Sequence, residues 1–324
     1  MPGRSLGVAL PARLGRFQVR SLLGSGSCAT VYRAFDPELE REVALKVPHP
    51  GSLVASEKLD RFLGEARALA RLRHPGIVPV FEAGRFGDLP YLATAYIAGR
   101  SLAGVIADGP LPLARAVEVA ADLAEALGHA HGVGVVHRDV KPGNVLVETG
   151  GAVHLADFGL AHRHDAGALT RTGVVVGTPA YLAPERAACG EESALPESDQ
   201  YSLGVVLYEM LCGRPPFLGP PPMVLYSARF DDPLPPRHLR HDLPRSLERV
   251  CLKAMAKDPS ERYPSCPAFA AELRRWLRRS RRPSRSGSID RAVRWLRTRP
   301  VVAVSTALAV LCLAASTALL SSLR

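Results

Sequence analysis

Residues 137–144 read HRDVKPGN, and this octapeptide constrains the fold and the chemistry of the chain more tightly than any other stretch. An aspartate follows an arginine in it, and an asparagine stands five positions after that aspartate. Further along the chain, residues 157–159 read DFG and residues 183–185 read APE, with a polar loop between them. Each short motif alone could arise by chance, but their order and spacing together argue against coincidence.

A glycine-rich segment lies upstream, between two strand patterns, and reads GSGSCATV from Gly24 to Val31. Glycines let backbone N–H groups approach phosphates without obstruction by side chains. A plain flexible hairpin explains the same residues equally well, and Ala29 stands where a third glycine would complete G-x-G-x-x-G. The segment does not fit a dinucleotide-binding fingerprint, because a strand and not a helix follows it.

Lys46 lies within the apolar strand pattern Val43-Ala44-Leu45-Lys46. A lysine in such a place can simply extend its ammonium to solvent. Glu65, however, lies three residues after Phe62 and four before Leu69, on the buried edge of a helical stripe. A carboxylate there needs a partner, and a pair with Lys46 would fix the ammonium where two phosphates can be held.

The pattern of apolar residues predicts an α+β protein with two lobes of unlike composition. Short alternating or apolar runs predict strands over residues 17–23, 31–35, 43–47, 77–83 and 91–96, with one helix over residues 59–72. Beyond Gly99 the pattern is mainly helical, and the run from Ser202 to Leu211 is typical of a helix buried on all sides. The predicted boundaries are a flexible N-terminus over 1–15, a small antiparallel lobe over 16–98 and a larger helical lobe over 99–279.

Taken together, these motifs resemble those of a protein kinase domain, and the chain is most similar to bacterial Hanks-type serine/threonine kinases. The resemblance runs from about Phe17 to Leu277, roughly four-fifths of the sequence. Supporting matches are GTPAY at 177–181, SDQYSLG at 198–204 and ERY at 261–263. The resemblance implies the two-lobed protein kinase fold and an ATP-dependent phosphotransferase that modifies serine and threonine side chains.

The resemblance also implies a role for each polar residue of the motifs. Asn144 and Asp157 would hold Mg²⁺ or Mn²⁺ beside the phosphates of ATP. Lys46, oriented by Glu65, would bind the phosphates, and Asp139 would accept the hydrogen of the substrate hydroxyl. The remaining roles are charge neutralisation by Lys141, support of the substrate loop by Glu185 paired with Arg262, and anchoring of the catalytic loop by Asp199.

A nucleotide pocket follows from the same resemblance. The adenine would lie between Leu23, Val31 and Ala44 on one side and Leu146 on the other. The residues implied to bind the nucleotide are Leu23, Gly24, Ser25, Gly26, Ser27, Cys28, Ala29, Thr30, Val31, Ala44, Lys46, Ala95, Ile97 and Leu146.

Two details favour serine/threonine substrates over tyrosine. Lys141 follows Asp139 by two residues and Thr178 follows Gly177, as in the serine/threonine kinases that this chain resembles. Thr170 and Thr172 are candidate autophosphorylation sites, because a phosphate there could pair with Arg138 and order the loop. The alternative is that both are ordinary exposed threonines.

Besides Ala29, three further positions depart from the family pattern without removing a reactive group. Ala95 stands where glutamate is common, and Thr94, at the rear of the adenine site, is smaller than the usual methionine. Cys28 is interpreted as a small serine-like residue, with a redox role as the alternative. A catalytically weak, membrane-docked ATP-binding scaffold is the alternative function, and the intact Lys46, Asp139, Asn144 and Asp157 favour the enzyme.

The net charge of +10 is concentrated in the C-terminal segment. Residues 274–324 contain 12 arginines and one acidic residue, so the rest of the chain carries a net charge of −1. That distribution argues against a nucleic-acid groove on the folded body. The six cysteines show neither CxxC nor Cys/His spacing, which indicates reduced thiols and no zinc site.

The basic segment 280–299 precedes an uncharged stretch of 23 residues, 301–323. A helix of that length would reach about 34 Å, enough to cross a hydrocarbon core of about 30 Å. The sequence therefore predicts a juxtamembrane linker over 280–299 and a transmembrane helix over 300–323; the alternative is a buried or surface-lying helix. The arginines predict a cytoplasmic kinase domain on a single-pass inner-membrane protein and attraction to anionic lipid.

Further expectations concern the ends of the chain and its partners. No cleavable signal peptide is expected, because the first 25 residues hold four arginines and no unbroken apolar stretch. No sensor domain is expected beyond the membrane, where Arg324 alone would follow the span. The expected partners are protein substrates and membrane lipid, homodimerisation stays open, and nucleic acid is not expected.

Overall fold

A computed structural model of the chain describes residues 11–26, 29–49, 56–87, 89–158, 179–189 and 195–281. Contacts between Cα atoms divide the chain into two units, with the boundary between Trp276 and Leu277. The described part of the second unit is the last turn of a helix, and all other described residues belong to the first unit.

The N-terminal lobe is built on an antiparallel sheet of six strands in the order β1-β2-β3-β4-β6-β5. Its strands are β1 (Arg13–Leu14), β2 (Phe17–Ser25), β3 (Ala29–Asp36), β4 (Arg41–Pro48), β5 (Val80–Phe86) and β6 (Leu89–Ala95). Every neighbouring pair is antiparallel, so short connections suffice. The antiparallel first lobe predicted from the sequence is therefore present.

Strand β4 illustrates how the sequence positions the site. Val43, Leu45 and Val47 point to one face, where they are buried in the core of the sheet. Because side chains alternate along a strand, Ala44 and Lys46 must point to the other face. That face is turned toward the second lobe, and both residues line the cleft described below.

Strand β1 lies within the segment predicted to be a flexible N-terminus, residues 1–15, of which residues 1–10 lie outside the described part. Arg13 and Leu14 pair with Gln18 and Phe17 of β2, and the Val19 N–H donates to the Ala12 carbonyl. A chain reversal between the two strands allows this pairing, and a two-residue strand is too short to give a periodic signal in the sequence.

The C-terminal lobe is mainly helical. Helix α1 (Ser56–Leu69) belongs to the first lobe. The described helices of the C-terminal lobe are α2 (Leu102–Ile106), α3 (Leu113–Gly132), α4 (Pro184–Cys189), α5 (Pro196–Cys212), α6 (Pro221–Phe230), α7 (Pro236–Leu239), α8 (Arg245–Ala254) and α9 (Cys266–Ser280). The predicted buried helix over 202–211 is α5, which begins six residues earlier because Pro196 can occupy the first helical turn.

A small sheet lies at the start of this lobe and carries part of the site. Its strands are β7 (Gly99–Ser101), β8 (Val145–Glu148) and β9 (Val153–Leu155), paired in that order. The strand predicted over 77–83 is displaced, and β5 begins only at Val80. Residues 76–78 bond instead to Leu155 of β9, and Pro79 has no N–H to donate to a ladder.

The predicted membrane segment cannot be located here, because residues 282–324 lie outside the described part. Among the helices of the described ranges, none combines the length and the apolar character that crossing a bilayer requires.

We expect Gly204→Ala to destabilise the fold. A Cβ at Gly204 in α5 would lie 2.8 Å from Met255 Cγ and 3.0 Å from Ala254 Cβ, both in a packed interior. Overpacking costs about 1–3 kcal/mol, more than the gain of about 1 kcal/mol that alanine brings to a helix. Chemical denaturation should therefore give a free energy of unfolding lower by about 1 kcal/mol.

Gly64→Ala in α1 is the matched control, because a Cβ added at Gly64 would have no heavy atom within 4 Å of it. That variant should gain about 0.5–1 kcal/mol. Equal stabilisation of both variants would contradict the close packing of α5 against α8.

Candidate active site

The octapeptide 137–144 forms a loop whose start is fixed by one buried carboxylate. Asp199, in the first turn of α5 and about 1% exposed, accepts hydrogen bonds from two successive backbone N–H groups. Its Oδ2 accepts from His137 N–H at 2.7 Å, and its Oδ1 accepts from Arg138 N–H at 2.8 Å. His131 of α3 lies 2.8 Å from Oδ2 through Nε2. The anchor that the sequence predicts for Asp199 thus has a geometric basis.

His137 connects this loop to the strand that precedes Asp157. Its Nδ1 accepts from the Asp139 N–H at 3.2 Å, so in the neutral ring Nε2 carries the hydrogen and donates to the Ala156 carbonyl at 3.0 Å. Burial lowers the pKa of His137, which keeps the ring neutral. The ring also packs on Phe158 at 4.4 Å between centroids.

The carboxylate of Asp139 is held by two other residues of the octapeptide. Asn144 Nδ2 donates to the Asp139 carbonyl and to its Oδ2, each at 2.8 Å. Lys141 Nζ lies 2.7 Å from the same Oδ2. These contacts explain why Asn144 stands five positions after Asp139, because a turn at residues 142–144 brings the Asn144 side chain back to Asp139.

Lys46 meets Asp157 across the cleft, with 2.8 Å between Nζ and Oδ1. Partial desolvation acts to raise the pKa of Asp157, but the charge and the hydrogen bond of Lys46 outweigh it and hold that pKa below its ordinary value. Asp157 has a φ of 55°, a conformation that is unusual outside glycine. The expected orientation of Lys46 by Glu65 stays a prediction.

A cavity of about 370 Å³ lies beneath the sheet at this point. Of the predicted nucleotide-binding residues, those that line it are Leu23, Gly24, Val31, Ala44, Lys46, Ala95, Ile97 and Leu146. Ser25, Gly26, Ala29 and Thr30 are not among its described lining residues; Ser25 Oγ and Thr30 Oγ1 instead face each other at 3.2 Å across the hairpin. Ser27 and Cys28 lie outside the described residues.

Sequence reasoning missed several residues of the wall, among them Val78, Leu92, Gly99, Arg100, Ser101, Gly143 and Ala156. A signal existed for Leu92, since it precedes Thr94 by two positions and must share its face of β6. No comparable signal marks Val78, which lies just before β5 and reaches the cavity only because residues 76–78 pair with β9.

Ala95, one of the residues implied to bind the nucleotide, already uses its backbone N–H. The Ala95 N–H donates to the Pro79 carbonyl at 2.9 Å. A purine in this cavity would therefore have to bond to other backbone groups of residues 95–97.

A divalent cation fits the donor set formed by Asn144 and Asp157. Because Asn144 Nδ2 is committed to Asp139, its Oδ1 is the end of the amide that can bind a cation. Mg²⁺ typically uses one or two protein oxygens, with water and substrate phosphates completing its shell. Among the described residues there is no cluster of three or more acidic, histidine or cysteine side chains that could hold a metal ion.

Glu185 and Arg262 form a two-pronged ion pair, as the sequence led us to expect. The two contacts measure 2.9 Å and 2.8 Å, and the side chains are 19% and 0% exposed. Burial acts to raise the pKa of Glu185, but Arg262 overcomes it and holds that pKa below its ordinary value. This pair ties α4 to the loop that follows α8, where Arg262 lies, and Arg262 also donates to the Glu197 carbonyl in the first turn of α5.

Of the predicted regulatory residues, only Arg138 belongs to the described part of the chain. Thr170 and Thr172 lie outside the described residues. Arg138 has a φ of 70°, and its carbonyl accepts a short hydrogen bond from Arg186 Nη1. The pairing of Arg138 with a phosphate therefore stays a prediction.

Comparison with known proteins agrees with this geometry. Residues 17–273 match the family model described as protein kinase domain. The chain is 39% identical over 265 residues to the serine/threonine-protein kinase PknB of Mycobacterium leprae, covering 80% of this chain and 42% of that protein. It is 43% identical over 262 residues to the DNA damage-responsive serine/threonine-protein kinase RqkA of Deinococcus radiodurans, covering 79% and 39%.

A solved structure gives the same architecture. The kinase domain of Mycobacterium tuberculosis PknI superposes with a TM-score of 0.65 at 30% identity, covering 82% of this chain and 99% of that one. The described two-lobed fold is therefore that of a known domain, whereas the chain spans only about two-fifths of the full-length curated relatives given above.

We expect Arg262→Leu to be strongly destabilising, because it leaves the Glu185 carboxylate half-buried without its cation. Breaking such a pair costs about 3–5 kcal/mol. Arg275→Leu is the control, since Arg275 forms an exposed pair with Glu272 and should change stability by less than about 1 kcal/mol. Urea denaturation would measure both; similar losses in the two variants would contradict a bracing role for Arg262.

Proposed function

This chain belongs to the protein kinase family, and on that premise we propose that it transfers the γ-phosphate of ATP to serine and threonine hydroxyls of proteins. The observation that carries the proposal is the convergence of Lys46, Asp139, Asn144 and Asp157 at one cleft beneath the sheet. Kinases of this family use ATP and a divalent cation in general.

The proposed mechanism assigns positioning and charge neutralisation to side chains that the fold already holds in place. Asp139 would accept the hydrogen of the attacking hydroxyl, and its contacts with Asn144 and Lys141 fix the carboxylate for that task. Lys141 would then lie beside the transferring group and stabilise its negative charge. Lys46 would exchange part of its contact with Asp157 for the phosphates of the nucleotide.

Asn144 and Asp157 are the residues proposed to hold the cation. Mg²⁺, when bound, supplies charge neutralisation to the phosphates. The ionised state of Asp157 supports this role, since its pKa is held low by Lys46. Mn²⁺ is the proposed substitute, because it also prefers oxygen ligands.

Serine/threonine specificity is proposed from Lys141 and Thr178, together with the serine/threonine kinases PknB and RqkA that the chain is similar to. Autophosphorylation of Thr170 or Thr172 is part of the same proposal, with Arg138 as the partner of the phosphate. The scaffold without catalysis is disfavoured, because each side chain that the chemistry requires is present.

A membrane-anchored location is a further part of the proposal. It rests on the uncharged residues 301–323 and the arginines before them, which would keep the kinase domain cytoplasmic on a single-pass protein. The basic segment 280–299 would bind anionic lipid at about 1 kcal/mol per arginine near the surface. Protein substrates complete the proposed partners, and a homodimer stays open.

Asp139→Asn should abolish most phosphoryl transfer while leaving the fold intact, since asparagine has nearly the same shape but cannot accept the hydroxyl hydrogen effectively. We expect a rate lower by about 10²–10⁴-fold in Mg²⁺-dependent transfer to a generic basic protein. Asp242→Asn is the control, because Asp242 is exposed and pairs only locally with Arg240. Phosphosite mapping should find phosphoserine and phosphothreonine with the native chain; equal activity of native and Asp139→Asn chains would refute the assignment.

Fractionation tests the anchor separately from the activity. Expressed in bacteria, the full chain should sediment with membranes and be released by detergent but not by high salt, because apolar insertion is not screened by ions. Truncation after residue 281 should abolish sedimentation. Recovery of the full chain in the soluble fraction would remove the anchor from the proposal.

A further inference from the structure

A second cavity, of about 590 Å³, lies beside the loop that connects α1 to β5. Its volume falls in the range of small-molecule sites, and it shares no lining residue with the cavity beneath the sheet. Its wall includes Arg41, Leu72, Arg73, His74, Val80 and Phe81.

The charges around this second cavity are of one sign. Arg41 and Arg73 contribute two guanidinium groups, and no aspartate or glutamate is among the described residues that line the cavity. A concave site of uniform positive charge attracts anions. Its remaining wall is aliphatic or aromatic, so the complementary ligand is an anion joined to an apolar part.

Arg41 is held in place without being neutralised. Its guanidinium carbon lies 3.5 Å from the centroid of the Phe81 ring, a cation–π contact that fixes the group but leaves its charge. Its buried Nε has no acceptor among the described residues. An arginine whose side chain is already oriented by a ring can bind a phosphate with little further loss of conformational freedom.

His74 adds a neutral donor to the same wall. Its Nδ1 accepts from the Gly76 N–H at 3.0 Å, so the hydrogen of the neutral ring is on Nε2. Burial, followed by the neighbouring His129 ring, lowers the pKa of His74, whereas Glu125 and Asp122 act in the opposite direction. The net effect favours the neutral donor at pH 7.

We propose that this cavity is a second ligand site that binds a phosphorylated serine or threonine side chain within a protein segment. A guanidinium group can donate two parallel hydrogen bonds to a phosphate, and Arg41 and Arg73 are proposed to bind the phosphate in this way. The cavity is much larger than a phosphate ion, and Leu72 and Val80 offer apolar contact to residues on either side of the phosphate. A nucleotide fits less well, because Arg41 already covers one face of Phe81.

The position of the second cavity connects it to the nucleotide site. Val78 lines the cavity beneath the sheet, whereas the next two residues, Pro79 and Val80, line the second cavity. The Pro79 carbonyl also accepts from Ala95 N–H, and the Val78 N–H donates to Leu155. One short segment thus forms part of both walls, so a ligand that shifts it changes nucleotide affinity, and the coupling is reciprocal.

This site goes beyond the proposed activity and does not require it. Phosphorylated side chains are the product class of the proposed reaction, but binding can be measured with no transfer at all. A test by binding therefore fails or succeeds independently of the catalytic assignment.

The experiment uses the full chain carrying Asp139→Asn, so that it cannot modify itself. The probe is a fluorescent seven-residue peptide with a central phosphothreonine and apolar neighbours, followed by anisotropy. Arg41→Gln and Arg73→Gln should each weaken binding by about tenfold or more, the effect of losing a charge-assisted hydrogen bond. Arg71→Gln is the matched control, because Arg71 is an exposed arginine of the same loop that does not line the cavity.

Two outcomes would overturn the proposal. They are equal binding of the unphosphorylated peptide and undiminished binding in both Arg41→Gln and Arg73→Gln. If Arg41→Gln fails to fold, Arg73→Gln still decides, because Arg73 is exposed and its loss leaves the packed interior untouched.

The coupling has its own readout. A non-hydrolysable ATP analogue with Mg²⁺ should change the affinity for the phosphopeptide, and the peptide should change the affinity for the analogue by the same factor. Unchanged affinities in both directions would overturn the connection through residues 78–80.

Discussion

One buried carboxylate, that of Asp199, sets the conformation from which the rest of the site follows. A charge removed from water is stable only when hydrogen bonds and partners compensate it. Here the compensation comes from the backbone N–H groups of His137 and Arg138, so the loop that the carboxylate needs is also the loop that it shapes. Arg138 is held at a φ of 70°, a strained conformation that persists only because its surroundings over-determine it.

Further contacts connect the loop anchored by Asp199 to the residues on the other side of the cleft. His137, neutral and buried, joins the catalytic loop to Ala156, and the next residue is Asp157. Asp157 in turn meets Lys46 of the sheet. The Lys46–Asp157 ion pair therefore connects the sheet to the second lobe at the chemical centre, and a nucleotide phosphate can exchange with it. Rigid support below and an exchangeable contact above suit the binding and release of a nucleotide that the proposed function requires.

The sequence was informative where short motifs carry strict spacing or where apolar residues alternate. It predicted the two lobes, the partners Glu185 and Arg262, and the face of β4 that bears Ala44 and Lys46. It was less informative where tertiary pairing decides. Residues 76–78 have the composition of a strand that continues β5, but they bond to Leu155 instead, and this displaced pairing brings Val78 into the wall of the cavity. Periodicity cannot reveal a partner some 80 residues away, nor the hydrogen bonds that leave Ser25 and Thr30 facing each other.

Thr94 has a consequence for pharmacology. It lines the cavity beneath the sheet, and its hydroxyl donates to the Ala44 carbonyl at 3.3 Å, so the side chain is turned along the sheet. A flexible thioether at this point would fill the rear of the cavity, whereas threonine leaves that volume open. An inhibitor with a branched substituent on its heterocycle would thus contact the rear of this cavity. The same substituent would clash in a protein that has methionine at this position, which offers a route to selective compounds.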